Sequence, residues 1–166
     1  MTVYATFTDK SALFEAIVTA ENSAIERAIA AVPRGTRPIA DLLTDAGSAL
    51  LTLLLRSDVM RFDRMLAGEM TRHPDLGRRF YEAGPHRMWA LLTSIVEHGR
   101  ANGELAVVDA HAAAEDLISI WLGMVPMQER LGVAAMVSAA TVARRVEHGV
   151  WVFMRAYSSA ERPRPR

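Results

Sequence analysis

The chain has 166 residues, and 51% of them are hydrophobic, which is enough material for one domain with an apolar core. It contains no cysteine, so disulfide bonds, thiolate metal sites and cysteine nucleophiles are excluded. Nineteen basic and nineteen acidic residues give a formal net charge of zero, whereas an independent nucleic-acid-binding domain usually carries a basic surplus. The sequence shows no signal-peptide pattern and no apolar stretch of membrane-spanning length, so we expect a cytoplasmic protein that does not contact the membrane.

Apolar residues recur with helical period along the chain, and no segment alternates with period two over the length of a strand. This pattern predicts an all-α fold. Ser57 with Asp58 is typical of a helix cap, and Asn102-Gly103 is typical of a helix end. The helices predicted in this part of the chain cover about 10–32, 38–54, 57–70, 75–82 and 85–101.

Two long apolar helices are predicted at the C-terminal end. Asp109 caps the first, which is expected to reach about Leu131 with a kink between Gly123 and Pro126, because proline removes a backbone donor. The second is expected over about 134–157, and its apolar stripe is broad enough for two neighbours. We expect this hairpin to pair with its own copy as a four-helix dimer interface; the alternative is that the stripe packs within the same chain. The expected interface residues are Leu117, Trp121, Val142, Val146, Val150 and Phe153.

Glutamate and histidine lie four residues apart in pairs such as Glu69/His73 and His111/Glu115, a spacing that permits metal binding on a helix. Di-metal helical bundles use Glu-x-x-His instead, and this motif is absent from the sequence. The sequence also lacks a Gly-x-Ser-x-Gly elbow and a glycine-rich phosphate loop. We therefore predict no catalytic residue, no metal and no cofactor, and a metal-dependent helical-bundle enzyme is the weakest alternative.

Methionines and aromatic residues cluster on the third, fifth and sixth predicted helices. Flexible thioethers and flat rings suit an adaptable apolar cavity between helices, and ordinary core packing is the alternative for each residue taken singly. Glu69 is expected to anchor a polar or cationic group, with a surface ion pair to Arg72 as the alternative. The expected pocket residues are Leu43, Phe62, Met65, Leu66, Glu69, Met88, Trp89, Leu92 and Trp121.

Residues 2–14, TVYATFTDKSALF, resemble the end of the helix-turn-helix of TetR-family regulators. In that family the recognition helix finishes in Thr-x-Tyr-x-x-Phe, followed by a small cap, a lysine and a Leu-Phe pair. The resemblance implies that Thr2, Tyr4 and Lys10 contact DNA phosphates or base edges.

A second resemblance covers the middle of the chain. The succession FDRMLAGE (62–69), HPDL (73–76), FYEAGP (80–85) and NGEL (102–105) is similar to the C-terminal regulatory domain of one TetR/AcrR branch. It implies a remnant of the recognition helix over 1–9, a ligand-binding and dimerisation domain over 10–158, and a Pro/Arg-rich disordered tail over 159–166. The family's first two helices would lie upstream of Met1.

The function implied by the resemblance is that of a homodimeric transcriptional repressor that lacks most of its DNA-binding head. The expected effector is a small hydrophobic or aromatic molecule, and operator DNA is an expected partner only when the upstream helices are present. The alternative from another class is a stand-alone helical module that pairs with an intact regulator.

Overall fold

The computed structural model describes residues 37–70, 74–133 and 137–159, with Thr19 and Ser23, which are helical; Glu69 and Leu76 are described by their backbone alone. These residues form helices without a strand, which confirms the all-α prediction. None of these helices is long and apolar enough to cross a lipid bilayer. The helices are α1 (Ile39–Leu54), α2 (Ser57–Met70), α3 (Pro74–Ala83), α4 (Pro85–Ala101), α5 (Ala110–Leu122), α6 (Val125–Arg130) and α7 (Ala139–Tyr157). The predicted remnant at 1–9 and nearly all of the predicted helix 10–32 lie outside the described residues.

The prediction of one kinked helix from Asp109 to Leu131 is wrong, because the helix breaks. Gly123 has φ +50°, a conformation that side-chain-bearing residues rarely adopt, and it ends α5. Pro126 then falls in the first turn of α6, where a missing backbone donor costs nothing. Arg145 closes the break from α7 by donating from Nη1 to the carbonyl oxygens of Trp121 and Leu122, at 3.2 and 3.4 Å.

One other helix start differs from the prediction, and one predicted cap lies inside its helix. The last helix begins at Ala139 instead of 134, and the Ser138 side chain caps it by accepting a hydrogen bond from the Thr141 amide. The α2 helix begins at Ser57 itself, where a cap was predicted, and the Arg56 carbonyl accepts the first helical bond from the Met60 amide. Apolar spacing and capping residues therefore predicted where these two helices lie in the sequence, but not which residue is the first of each helix.

The core lies where α1, α4, α5 and α7 meet. Trp121 of α5 is 0% exposed and donates from Nε1 to the Val146 carbonyl of α7 at 3.4 Å. Two glycines face its ring: a Cβ on Gly47 of α1 would lie 2.6 Å from Cζ2, and one on Gly149 of α7 would be closer still, against Cδ1 and Nε1. The indole therefore occupies space that only glycine leaves on both neighbouring helices.

The segment between α4 and α5 connects the start of α1 with the end of α7. Glu104 accepts from the Ile39 amide through Oε2 at 2.8 Å, which caps α1 where Pro38 provides no side-chain cap. Its carbonyl accepts from the Ser159 amide at 3.0 Å, and the Ala106 amide donates to the Tyr157 carbonyl at 2.8 Å. Ser159, the first residue of the predicted disordered tail, therefore forms a backbone hydrogen bond, and residues 160–166 lie outside the described part.

Candidate functional site

An apolar cavity of about 280 Å³ lies at the corner between α1 and α2, facing α6. The end of α1 and the start of α2 form one wall, and the end of α5 with α6 forms the opposite one. The Phe80 ring of α3 and Pro85, the first residue of α4, also line it. Its apolar lining residues are Leu54, Leu55, Val59, Met60, Ala67, Phe80, Pro85, Leu122, Val125 and Pro126.

The charged residues that line this cavity include an ion pair between its two walls. Arg64 of α2 donates from Nη2 to Oε2 of Glu129 on α6 at 2.8 Å. The Glu129 side chain is 18% exposed and that of Arg64 is 49% exposed, so the pair lies at the boundary between the interior and solvent. Asp63 and Arg130 supply the other two charges. The cavity thus offers apolar surface inside and balanced charge among its polar lining residues.

A second, more polar groove of about 550 Å³ adjoins this cavity. The two share Leu55, Met60, Arg64 and Glu129, so the Arg64–Glu129 pair stands between them. The groove is otherwise lined mainly by polar and basic residues of the α1–α2 corner and by the start of α7. These further residues are Thr52, Arg56, Ser57, Arg61, Val137, Ala139 and Val142.

The arginines of this groove differ in how strongly they are already paired. Arg56 donates from Nη2 to Oδ2 of Asp58 at 2.8 Å, and this hydrogen bond holds the pKa of the Asp58 carboxyl below its ordinary value. Arg64 is paired with Glu129. Arg61 is exposed and forms no ion pair with a described residue. Three guanidinium groups and one carboxylate therefore line the groove, which gives it a cationic surplus.

None of the predicted pocket residues whose side chains the structure describes lines the apolar cavity. Most of them are buried in the helix core. These buried residues are Leu43, Leu66, Met88, Leu92 and Trp121. The predicted pocket is therefore a different place from the observed cavity, although Met60, from the same group of methionines, does line the cavity.

The other predicted pocket residues lie toward the surface. Met65 is 40% exposed. The Phe62 ring lies 6.0 Å from that of Phe80, which itself lines the cavity. Trp89 stacks on His111 of α5 with ring centroids 4.3 Å apart. The side chain of Glu69 lies outside the described residues.

The residues predicted for the dimer interface are buried within the single chain. Leu117, Trp121, Val142, Val146, Val150 and Phe153 all belong to the core cluster formed with α1 and α4. The alternative from the sequence, packing of the α7 stripe within the same chain, therefore describes the four residues of α7, and the two residues of α5 are buried in the same core. Helical period put the apolar stripe on α7 correctly but did not show what covers it.

A different face of α7 carries a large exposed apolar side chain. Trp151 is 58% exposed, stacks against His148 with ring centroids 6.1 Å apart, and lies 5.5 Å from the Arg155 guanidinium carbon. Beyond α5, Met124, Met127, Leu131 and Val133 are also exposed. These residues, and not the predicted six, are available to a partner.

Two further predictions concern DNA contacts and metal binding. Thr2, Tyr4 and Lys10 lie outside them. Among the described residues there is no group of three or more histidine, aspartate or glutamate side chains that could hold a metal ion.

The residues that line the cavity were missed because it forms between segments far apart in sequence. Leu55 and Val59 lie at the α1–α2 corner, and Val125 and Pro126 lie in α6, a helix that the sequence did not separate from α5. The one available signal was Pro126 beside Gly123, since proline and glycine inside an apolar helix often accompany a packing or functional requirement.

Comparison with known proteins agrees with this architecture. Residues 41–159 match the model of the family described as AefR-like transcriptional repressor, C-terminal domain. No curated protein has a detectable match to the chain.

Solved structures of TetR regulators share the fold. A structure described as a TetR-family regulator from Mesorhizobium loti superposes with a TM-score of 0.76 at 24% identity, covering 94% of this chain and 79% of that one. The flavonoid-responsive regulator FrrA superposes with a TM-score of 0.71 at 29% identity, covering 98% and 80%. A TetR regulator from Agrobacterium tumefaciens gives 0.65 at 22% identity, covering 83% and 70%. The matched family domain and the shared helical architecture confirm the resemblance: the chain belongs to the TetR family of transcriptional regulators, through a C-terminal domain of the AefR-like type.

Proposed function

We propose that the chain is the effector-binding and dimerising part of a TetR-family repressor, with the apolar cavity as its effector site. Regulators of this family are typically homodimers that bind small-molecule effectors and operator DNA. The observation that carries the proposal is the cavity itself, which combines a continuous apolar lining with a few charged residues. A regulator of this kind acts on the genome, so the proposal places the protein in the cytoplasm.

The size and lining of the cavity favour a small, flat, largely apolar effector. A volume of about 280 Å³ is near the lower end of the range for ligand pockets. Phe80 supplies a ring on one side, and Met60 supplies a side chain that can adapt to different shapes. The likeness to FrrA, a flavonoid-responsive regulator, supports an aromatic effector, and a flavonoid-like molecule is the first class to test.

For the effector to regulate, it must bind one arrangement of the helices better than another, because equal affinity shifts no equilibrium. The cavity lies between the α1–α2 corner and α6, which the Arg64–Glu129 pair connects. An effector between these walls would favour one separation of α2 from α6. The proposal is that this separation is what the rest of the regulator senses.

The dimer is proposed to form through the exposed face of the α5–α7 hairpin, centred on Trp151. This tryptophan is 58% exposed in the single chain, and tryptophan is enriched at the centres of protein interfaces. The proposal keeps the predicted pairing of this hairpin with its own copy but assigns it to a different face.

A cavity-filling substitution tests the effector site. Val59→Trp places an indole in the cavity, and Val108→Trp is a matched control because Val108 is 88% exposed between α4 and α5. A flavonoid or other flat aromatic compound should raise the melting temperature of the wild type and of Val108→Trp by mass action, but not that of Val59→Trp. A thermal shift that persists unchanged in Val59→Trp would show that the compound binds elsewhere.

A further inference from the structure

The apolar cavity and the cationic groove form one continuous surface with two different chemistries. They share Leu55, Met60, Arg64 and Glu129, so a molecule that fills the cavity can extend past Met60 into the groove. The cavity side is apolar, whereas the groove side presents the guanidinium groups of Arg56, Arg61 and Arg64. A ligand that satisfies both must be apolar at one end and negatively charged at the other.

We infer that the effector is an amphipathic organic anion, with an aromatic or aliphatic body in the cavity and a carboxylate, sulfonate or phenolate group beside Arg61 and Arg64. This inference rests on the proposed effector site and adds the charge and orientation of the ligand. Arg61 carries the argument, because it lines the groove and is not neutralised by a described carboxylate.

The Arg64–Glu129 ion pair should weaken the binding of such an anion. Glu129 already accepts from Arg64 at 2.8 Å, and its side chain is the more buried member of the pair. An incoming anion must share Arg64 with this carboxylate and lies within reach of its negative charge. Removing the charge of Arg61 should therefore weaken anion binding, whereas removing the charge of Glu129 should strengthen it.

Two probes with the same three-ring body separate the charge from the apolar contact. 8-Anilinonaphthalene-1-sulfonate is anionic, and N-phenyl-1-naphthylamine is its uncharged counterpart; the fluorescence of both rises in apolar surroundings. We expect the full chain to bind the anionic probe more tightly. Arg61→Gln should weaken it by about fivefold, as expected for an exposed ion pair at the upper end of the measured range, and Glu129→Gln should tighten it by a similar factor. The affinity for the uncharged probe should change in neither variant.

Arg100→Gln is the matched control, because it also removes one positive charge. Arg100 lies near the end of α4, whereas Pro85, which lines the cavity, is the first residue of that helix. Arg100→Gln should leave both affinities unchanged. Equal affinities for the two probes, or an Arg61→Gln affinity like that of Arg100→Gln, would overturn the inference while the effector site stands. If the uncharged probe binds Val59→Trp as well as it binds the wild type, or if neither probe binds the wild type, the effector site and this inference both fail.

Discussion

The indole of Trp121 depends on two glycines that leave room for it, Gly47 on α1 and Gly149 on α7. A Cβ at either position would overlap the ring, which is 0% exposed. Aromatic rings are rigid, so the added methyl group must be accommodated by shifting a helix.

Gly149→Ala should therefore lower the free energy of unfolding by about 2–3 kcal/mol, at the upper end of the range for overpacked cores. Gly68→Ala is the control, because no atom lies within 4 Å of a Cβ built there and alanine favours a helix by about 0.5–1 kcal/mol. Urea denaturation followed by circular dichroism measures both. Equal midpoints for Gly149→Ala and the wild type would contradict the account of Trp121.

The tetrapeptide Val-Glu-His-Gly occurs at 96–99 and again at 146–149, and from the sequence alone its recurrence is best explained as coincidence. In the structure both copies combine a buried valine with a glycine that lies close to a neighbouring helix. Val96 and Val146 are buried, and a Cβ on Gly99 would lie 2.7 Å from Cγ1 of Ile39, as one on Gly149 would meet Trp121. Residues three apart lie on the same helix face, so in both copies the valine and the glycine face the same neighbouring helix or helices.

Glu104 supplies α1 with the cap that its own sequence lacks. Its carboxylate accepts from the Ile39 amide, and Pro38 contributes no capping side chain. Glu104→Ala should cost about 1 kcal/mol of unfolding free energy, as for the loss of a helix cap. Glu97→Ala on the exposed face of α4 is the control and should change the unfolding free energy by no more than about 0.5 kcal/mol. If the two variants lose the same stability, the cap contributes nothing.

At the scale of the elements, the short helix α6 depends on Arg145 of α7. This arginine donates to the last two carbonyls of α5, next to Gly123, and so holds the break from which α6 departs. Arg145→Met keeps the aliphatic stem and removes the donors, which should lower stability by about 1–2 kcal/mol. The backbone amides of α6 should then exchange with deuterium faster, while Arg144→Met on the exposed side leaves them unchanged. If the amide exchange rates of α6 are unchanged in Arg145→Met, the break between α5 and α6 does not depend on the Arg145 hydrogen bonds.

The helix starts that could be predicted from the sequence are those marked by proline, by glycine or, for α5, by the capping side chain of Asp109. Pro38, Pro74 and Gly84-Pro85 lie at or next to observed helix starts, because proline suits the first turn and cannot continue a helix. The break between α5 and α6 could not be predicted from the sequence. Whether Gly123 bends or ends the helix depends on its φ angle and on Arg145, which is distant in sequence. The start of α7 was placed too early because apolar residues continue with helical spacing before Ser138.

At the scale of the whole molecule, the site was harder to predict than the fold. Helical period identifies which residues are apolar on one face, and Leu92 and Trp121 satisfy that pattern equally well as core or as pocket. A cavity is the space that packing leaves, so it depends on how the α1–α2 corner meets α6 and not on the pattern of any one helix. The same argument applies to α7, where the stripe faces inward and the available surface surrounds Trp151.

This difference predicts distinct outcomes for two glutamate substitutions on α7. Trp151→Glu should leave the monomer folded and abolish the proposed dimer, because the side chain lies at the surface. Val146→Glu should unfold the chain instead, because it buries an unpaired charge beside Trp121. Light scattering gives the mass and circular dichroism gives the helix content. A Trp151→Glu protein that retains the dimer mass would refute the proposed face.

The Glu104 contacts also bear on the order in which the chain folds. This one residue holds the Ile39 amide and the Ser159 amide, which lie near opposite ends of the described chain. Such contacts close a very long loop, so they form only after the intervening helices have assembled. Glu104→Ala should therefore accelerate unfolding by about fivefold per kcal/mol lost and leave the refolding rate unchanged. The substitution removes the carboxylate contact with Ile39 and keeps the backbone contact with Ser159. In stopped-flow measurements, a slower refolding limb in Glu104→Ala would mean instead that the contact between Glu104 and Ile39 forms early.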